Sequence, residues 1–353
     1  MLPFAGPLLY PLLGSSFLTY LWGGKGRSST SGKTTLALFC MSVWGDTEIL
    51  KQSLNSTRTG ITEACAQLSD LFIVLDEKQS ARDKDEMRGT IYDVATGKNR
   101  LQGNASGGTR DQKTWRLAGL LTGEEPLSRM WDGEYVRIID LRAENIWGNS
   151  EGLTHREFAR NVERCYKQHY GHAGREYLDK ILELVRDRDF LPELQKRASE
   201  YERRLVALTP DNDMACRLAP NFSIIAVAGE IAAKDIIGVD HSLAFTTVAN
   251  IYHHYSDVWK VADLGERAVI ATNDFVSRYP ERFKPLMRDG EQRYGLDEDD
   301  RDYVGLLAGP WEQAMKEADI DGKTIKQIWR DRGWLSCDSN DGRMTRVVSL
   351  NYR

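Results

Sequence analysis

The feature that most constrains the fold is a glycine- and serine-rich segment, Gly26-Arg-Ser-Ser-Thr-Ser-Gly-Lys-Thr-Thr35, between an apolar strand and an apolar helix. Such a loop turns successive backbone N–H groups towards one point, and the helix N-terminus adds partial positive charge there. A triphosphate fits this environment. The segment therefore predicts a phosphate-binding loop between a first strand, Phe17 to Trp22, and a helix, Thr35 to Trp44.

The side chains of this loop predict an ATP and Mg²⁺ site. We expect Lys33 to reach the β- and γ-phosphates and the Thr34 hydroxyl to ligate Mg²⁺. The spacing departs from the usual pattern, because Gly26 stands one place early and Arg27 occupies the expected glycine position. The loop is either one residue longer or has an arginine in place of a glycine. The predicted nucleotide-binding residues are Ser29, Thr30, Ser31, Gly32, Lys33, Thr34 and Thr35.

Two acidic residues follow a buried strand about forty residues later. The apolar run Leu71 to Leu75 ends in Asp76 and Glu77, and the carboxyl end of a strand is where a parallel sheet presents its ligands. We expect Asp76 to hold magnesium through water and Glu77 to polarise the attacking water as a general base.

Polar residues also accompany two later predicted strands, Trp115 to Leu121 and Tyr135 to Leu141. Thr122 either hydrogen-bonds the γ-phosphate or the attacking water, or simply ends its strand. Arg137 either reaches the nucleotide of a neighbouring subunit, stabilising charge in the transition state, or forms a structural salt bridge to Asp140 or Glu134.

Two further arginines compete for nucleotide contacts. Arg129, in the loop before the last strand, is an alternative to Arg137. Arg217, at the start of an apolar helix, is expected to contact nucleotide from the second domain.

A basic segment separates the acidic strand from the Thr122 strand. Its polar arms flank a glycine-rich tip, which predicts a hairpin. In a protein of net charge −5, such a hairpin would track the backbone of single-stranded DNA in a central pore, whereas the alternative is a solvated surface loop. The predicted DNA-binding residues are Lys98, Arg100, Arg110 and Lys113.

The pattern of elements predicts three domains in the 353 residues. Residues 1–150 alternate short apolar runs with helices, which is typical of an α/β fold with a parallel sheet. Residues 151–282 form long amphipathic helices, a helical domain over the core. Residues 283–353 read as helix, helix, strand, turn and strand, the order of a winged helix.

Composition excludes several other classes. Apolar residues make up 41% and charged residues 28%, as in globular proteins. The five cysteines have no paired spacing, which argues against a zinc ribbon or a disulfide framework and indicates a reducing, cytoplasmic compartment. Prolines interrupt the apolar opening Leu2 to Leu13, for which we expect short packed helical turns. The apolar run Arg217 to Ala233 is too short for a comfortable membrane span, so we expect no membrane association.

Taken together, several motifs resemble the phage and mobile-element ATPase family described as domain of unknown function 927. They are the phosphate loop, Ser42-Val-Trp-Gly45, Leu75-Asp-Glu77, Gly97-Lys-Asn-Arg100, Leu121-Thr-Gly-Glu124, Val136-Arg-Ile-Ile-Asp140, Val227-Ala-Gly-Glu-Ile-Ala232 and the closing Gly333-Trp-Leu. Members of that family usually carry a further N-terminal region.

The resemblance implies a helicase-like ATPase, similar in layout to AAA+ and superfamily III helicases, with a P-loop (AAA+/RecA-like) core and a winged-helix end. We expect an ATP-driven motor on single-stranded DNA, a homo-oligomeric and hexameric ring that serves replication of a phage or mobile element, with a primase as a possible partner. The alternatives are a nucleotide-switched assembly or loading factor without unwinding activity, and a DNA-binding regulator with a degenerate ATP site.

Overall fold

The chain divides into two compact units, Met1–Trp259 and Lys260–Arg353. The structure, a computed structural model, describes residues 1–23, 32–76, 84–100, 111–124, 137–143, 146–147, 152–260, 263–284, 292–297, 303–318, 320–337 and 344–348. The predicted boundaries at 150/151 and 282/283 differ from the boundary between these units. As functional parts, the three predicted domains remain a prediction.

The first unit contains a five-stranded parallel sheet in the order β2-β3-β4-β1-β5. Its strands are β1 (Phe17–Trp22), β2 (Gln52–Ser53), β3 (Phe72–Asp76), β4 (Ala118–Gly123) and β5 (Ile138–Arg142). The predicted α/β class and parallel sheet are confirmed. Strands buried on both faces read as continuous apolar runs, and for this reason four of the five strands were predictable from sequence.

Helices cover both faces of this sheet. Successive residues of a strand point to opposite faces, so Phe72 and Val74 belong to one hydrophobic core and Ile73 and Leu75 to the other. Helix α1 packs on the first face, whereas α3 and α4 pack on the second. The connecting helices are α1 (Lys33–Ser42), α2 (Thr47–Leu50), α3 (Arg58–Gln67) and α4 (Lys84–Thr96).

A helical segment extends the first of these cores. Its helices are α5 (His155–Gln168), α6 (His172–Leu184), α7 (Phe190–Val206), α8 (Asp213–Ala232) and α9 (Ser242–Lys260). Gly171, which has φ +78°, separates α5 from α6. Side chains of α8 such as Leu218 and Phe222 pack in the same core as α1 and the sheet. The helices therefore belong to one compact unit with the sheet.

Helix α8 and the π-helical turn after it, Asp213–Ile237, are long and apolar enough to cross a membrane by length and composition. However, 72% of their most apolar stretch is buried inside the protein. A buried core helix passes the same test as a membrane span, so this segment is accounted for by the core. Short 3₁₀ turns, Leu2–Phe4 and Gly6–Leu8, pack into that core as expected from sequence.

The second unit combines an antiparallel sheet with three helices in its described part. Its sheet has four strands in the order β6-β7-β9-β8. Trp311 and Trp329 are buried at its core. The predicted sequence of two helices followed by two strands is present, and a winged-helix assignment stays a prediction. The elements are α10 (Leu264–Arg278), β6 (Gly295–Asp297), β7 (Tyr303–Leu307), α11 (Ala308–Glu317), α12 (Gly322–Asp331), β8 (Leu335–Cys337) and β9 (Met344–Val348).

Candidate nucleotide site at the carboxyl edge of the parallel sheet

Three predicted site residues meet at the carboxyl edge of the parallel sheet. Thr34 lies in the first turn of α1, and its hydroxyl donates to Oδ1 of Asp76 over 3.4 Å. The Thr122 hydroxyl donates a short hydrogen bond to the same oxygen. Leu121 of β4 pairs with Leu75 of β3, so Thr122 and Asp76 lie level on neighbouring strands. The parallel register is therefore what brings these residues together.

The second oxygen of the Asp76 carboxylate has a cationic partner. Lys51 Nζ lies 3.1 Å from Asp76 Oδ2, with the Lys51 side chain 33% exposed and that of Asp76 3% exposed. Lys51 stands between α2 and β2, and β2 pairs with β3 so that Ser53 is opposite Asp76. Sequence analysis missed Lys51, because a two-residue strand has too little periodicity to place its neighbours.

Lys33 is buried at the start of α1, with 8% relative exposure. Burial lowers the pKa of Lys33, whereas the negative charge of Glu124 acts to raise it. Gly23, directly after β1, leaves room for this side chain, since a Cβ at Gly23 would lie 3.2 Å from Lys33 Nζ. The ammonium group therefore lies beside the sheet edge at which Asp76 and Thr122 lie.

Gly32 precedes α1 in a left-handed conformation, φ +82°. The Trp147 indole covers it so closely that a Cβ on Gly32 would lie 2.3 Å from Trp147 Nε1. Within the described residues, no side-chain cap is formed at the N-terminus of α1, so the amide groups of Lys33 and Thr34 are placed to donate to a bound group. A side chain at position 32 fits neither the backbone conformation nor the available space.

These residues fit a magnesium–nucleotide complex. Mg²⁺ prefers oxygen ligands and is usually held by one or two carboxylates together with substrate phosphates. The Asp76 carboxylate and the Thr34 hydroxyl are such donors, and Lys33 adds positive charge for phosphate. Within the described residues, no group of three or more His, Cys, Asp or Glu side chains forms a metal site that is independent of a nucleotide.

Several predicted site residues lie outside the part of the chain that the structure describes. The general base Glu77 is one of them, and the length of the phosphate loop around Arg27 falls in the same category. The others are Ser29, Thr30, Ser31, Arg110 and Arg129. Thr35 is described and is half-buried in the first turn of α1.

Arg137 and Arg217 lie together, away from this site. Both line a cavity of about 770 Å³ that also includes Ser16 and Asn221. Ser16 precedes β1 and Arg137 precedes β5, so the cavity opens at the amino edge of the sheet. The length of β1, about 20 Å at the usual rise per residue, separates the two edges. The expected contact of Arg217 with nucleotide stays a prediction.

The base of the predicted hairpin also lies at the amino edge of β4. Lys98 and Thr114 form an antiparallel bridge, and Asn99 N donates to the Lys113 carbonyl over 3.2 Å. The two arms are therefore paired, while residues 101–110, which include the expected tip, lie outside the described residues. Lys113 forms an ion pair with Glu63 of α3.

Comparison with known proteins agrees with part of this description. Residues 2–114 match the family model described as "Domain of unknown function (DUF927)", the family that the sequence motifs resemble. The matched segment includes the phosphate loop and Asp76. The resembling motifs after residue 114 lie beyond it. No curated protein sequence matches the chain at a significant level.

A solved structure described as "SCCmec type IV Cch - active helicase" is similar to this chain with a TM-score of 0.74 and 19% identity. The similarity covers 98% of this chain and 64% of that one, so the present chain spans less than two thirds of that helicase's length. The ADP form of the Aeropyrum pernix ORC2 protein aligns with 12% identity over 99% of this chain and 87% of that one, but at a TM-score of only 0.20. The chain thus shares its fold with the Cch structure and matches the DUF927 model over its first 114 residues.

Proposed function

We propose that this chain is a magnesium-dependent ATPase that acts as a motor on single-stranded DNA, as in helicases, during replication of a phage or mobile element. The observation that carries the proposal is the meeting of the Thr34 and Thr122 hydroxyls on Asp76 Oδ1, beside the buried Lys33. This arrangement unites a phosphate-binding helix N-terminus with an acidic strand end, which is the combination that phosphoryl transfer requires.

Each residue of the proposed site has a separate role in ATP hydrolysis. Bound Mg²⁺ and ATP supply an electrophilic γ-phosphate whose charge must be stabilised. Lys33 would neutralise phosphate charge, Thr34 and Asp76 would hold the metal, and Glu77 would orient the attacking water and accept its proton. Thr122 holds the Asp76 carboxylate in position from the neighbouring strand.

Arg137 and Arg217 serve the same reaction in a neighbouring subunit. They lie at the amino edge of the sheet, opposite the carboxyl edge that holds Thr34 and Asp76. In a ring of identical subunits, two arginines on the amino edge would stabilise charge on the next subunit's nucleotide. This reasoning supports a homo-oligomeric ring, for which we propose six subunits.

DNA contact is assigned to the basic hairpin. Lys98 and Arg100 are exposed at its base, where they can contact a phosphate backbone, and Arg110 would extend this surface. Lys113 is engaged with Glu63, but both side chains are more than 40% exposed, and exposed ion pairs contribute little stability. Lys113 therefore remains available to DNA.

The second unit is proposed as a winged-helix domain that contacts DNA or a partner such as a primase. Lys323, Lys326 and Arg330 lie on α12, the second of its two consecutive helices. Lys326 pairs with Glu312 over 2.5 Å, so this cation is already engaged within the unit. This weakens a duplex-reading regulator as the main function.

ATP hydrolysis with and without single-stranded DNA tests the proposal. The Lys33→Ala and Glu77→Gln variants should abolish hydrolysis. The paired change Lys98→Ala and Arg100→Ala should leave basal hydrolysis intact and abolish its stimulation by DNA. Replacing two cations on other helices, the exposed Lys167 and the partly exposed Lys180, by alanine provides the control of equal charge.

The possible outcomes separate the functions. Hydrolysis stimulated by DNA, lost on changing the hairpin but not on changing the control pair, supports the motor. Hydrolysis indifferent to DNA favours the assembly or loading factor. A purified chain that assembles but neither binds nor hydrolyses ATP contradicts the proposal.

A further inference from the structure

The Lys51–Asp76 ion pair lies on the carboxylate that the proposed function assigns to magnesium. Asp76 Oδ1 accepts hydrogen bonds from Thr34 and Thr122, and Oδ2 lies 3.1 Å from Lys51 Nζ. Both oxygens of this buried carboxylate are therefore engaged. Lys51 therefore places its positive charge beside Asp76, where a bound metal cation would place its own.

Burial explains why such a partner is present. The Asp76 side chain is only 3% exposed, and a buried carboxylate without a partner destabilises a fold strongly. Two neutral hydroxyl donors offset this cost only in part, whereas a lysine ammonium neutralises the charge. In the absence of a metal, Lys51 therefore stabilises the site.

The position of Lys51 allows its ammonium group to leave. Its backbone is held at the end of α2, where Lys51 N donates to the Thr47 carbonyl over 3.2 Å. The side chain itself is one-third exposed, and a lysine stem has four flexible methylene groups. The ammonium can therefore move to solvent while the backbone stays fixed.

We propose that Lys51 is a positioning residue that occupies Asp76 while the nucleotide site is empty and must be displaced before Asp76 can serve magnesium. Since Lys51 and a metal cation repel each other, the two states exclude one another. The affinity of the site for magnesium is therefore lower than it would be if Asp76 had no lysine partner. This inference rests on the proposed ATPase function.

The test is magnesium-dependent nucleotide binding, which requires no hydrolysis. A fluorescent methylanthraniloyl derivative of ADP is mixed with the full chain, and Mg²⁺ is titrated. For Lys51→Met, we expect the half-saturating Mg²⁺ concentration to fall by about threefold or more, the equivalent of one partly exposed ion pair. Lys51→Arg, which keeps the charge, should remain at or above the wild-type value.

A second measurement separates this role from a merely structural one. Lys51→Met should lower the midpoint of thermal unfolding without ligand, since Asp76 loses its cation, and should show a larger rise in that midpoint on adding Mg²⁺ and ADP. Lys180 of α6 is matched as a control, because it is also partly exposed and paired with acidic residues. Lys180→Met should leave the Mg²⁺ dependence of nucleotide binding unchanged.

The results distinguish failure of the inference from failure of the function. If the wild-type chain binds nucleotide with magnesium but Lys51→Met has the same or a higher half-saturating Mg²⁺ concentration, the displacement of Lys51 is wrong and the ATPase proposal stands. If the wild-type chain binds no nucleotide, the ATPase proposal is wrong. In that case, the competition between Lys51 and a metal cation is tested with Mn²⁺ alone. It is supported if Mn²⁺ raises the midpoint of thermal unfolding of Lys51→Met but not of the wild type, and it is wrong otherwise.

Discussion

Thr122 and Thr34 approach the same carboxylate oxygen of Asp76 from different elements, Thr122 from the neighbouring strand and Thr34 from the helix after the phosphate loop. The β4 hydroxyl thereby fixes the orientation of the acidic side chain that would face a nucleotide. Whether Thr122 also contacts the γ-phosphate or the attacking water stays a prediction.

Removing the Thr122 hydroxyl should misorient Asp76. Thr122→Val leaves a buried carboxylate with one hydrogen bond fewer, which is expected to lower the free energy of unfolding by about 1–3 kcal/mol. It should reduce kcat for ATP hydrolysis more than it raises KM. Thr122→Ser restores the hydroxyl and should recover most of the activity, and equal losses in both variants would contradict this role.

We expect the buried Lys33 ammonium group to lower the free energy of unfolding, although nucleotide binding requires it. The pKa of Lys33 is lowered because burial disfavours the charged form. Lys33→Met should therefore leave the midpoint of thermal unfolding no lower than in the wild type. The same change should abolish nucleotide binding, because it removes the positive charge proposed to contact phosphate. Between the lowered pKa and the ordinary value of 10.5, the unfolded chain binds more protons, so wild-type stability should rise with pH. Urea unfolding from neutral to alkaline pH, compared with Lys33→Met, measures this difference. A marked loss of stability in Lys33→Met would show that the ammonium is well compensated in the fold.

Gly32 should tolerate no side chain. In Gly32→Ala the new methyl group would meet the Trp147 indole and the backbone would keep an unfavourable φ of +82°, so we expect loss of nucleotide binding and a destabilisation above about 1–2 kcal/mol. Gly152 is a matched control, with φ +83° and no atom of the described residues within 4 Å of its Cβ position. Gly152→Ala should lower the free energy of unfolding only through its unfavourable backbone conformation. Equal effects of the two changes, measured by urea unfolding, would show that Trp147 moves aside.

Within the second unit, Asp263 should make stability depend on acid pH. Burial acts to raise the pKa of Asp263, but hydrogen bonds and charge from Arg332 and a backbone amide bond outweigh it and leave the pKa below its usual value. Arg332 contacts both carboxylate oxygens, over 2.6 and 2.8 Å. The stabilisation should be complete above the usual pKa of 3.8 and should disappear as pH falls through the lowered value.

Asp263→Asn should remove this dependence and destabilise the unit by about 1–3 kcal/mol at neutral pH. Tryptophan fluorescence during urea unfolding at several pH values measures both effects. Asp331→Asn is the control, because Asp331 accepts one exposed hydrogen bond from Gln327. An acid dependence that survives in Asp263→Asn would assign it to another carboxylate.

If the arginines act between subunits, mixing two inactive variants should restore activity. Arg137→Ala keeps its own phosphate loop, and Glu77→Gln keeps both arginines, so a mixed ring contains interfaces with a complete site. We expect hydrolysis in the mixture and little in either variant alone. A mixture that stays inactive, although size-exclusion chromatography shows mixed assemblies, would restrict Arg137 to a structural role.

The strands and the acidic strand end could be predicted because they depend on residues close together in the sequence. The strand Phe17–Trp22 was predicted with its observed bounds, and Asp76 stands at the end of β3 as expected. For the helices after residue 150, amphipathic periodicity indicates that a helix buries one face but not which surface covers it. Leu218 and Phe222 pack in the core shared with the sheet, and the boundary between compact units therefore falls at residue 259.

The order of residues along the chain by itself determined the buried parallel strands and the acidic strand end, and it predicts the phosphate loop, since each depends on neighbours within a few positions. Only the tertiary structure decided which side chains complete the site. Sheet order placed Lys51 and Thr122 on either side of Asp76 and brought Arg137 and Arg217 to the opposite edge. These relationships join residues between 25 and 80 positions apart along the chain, so tertiary packing and not local sequence sets the distance between them.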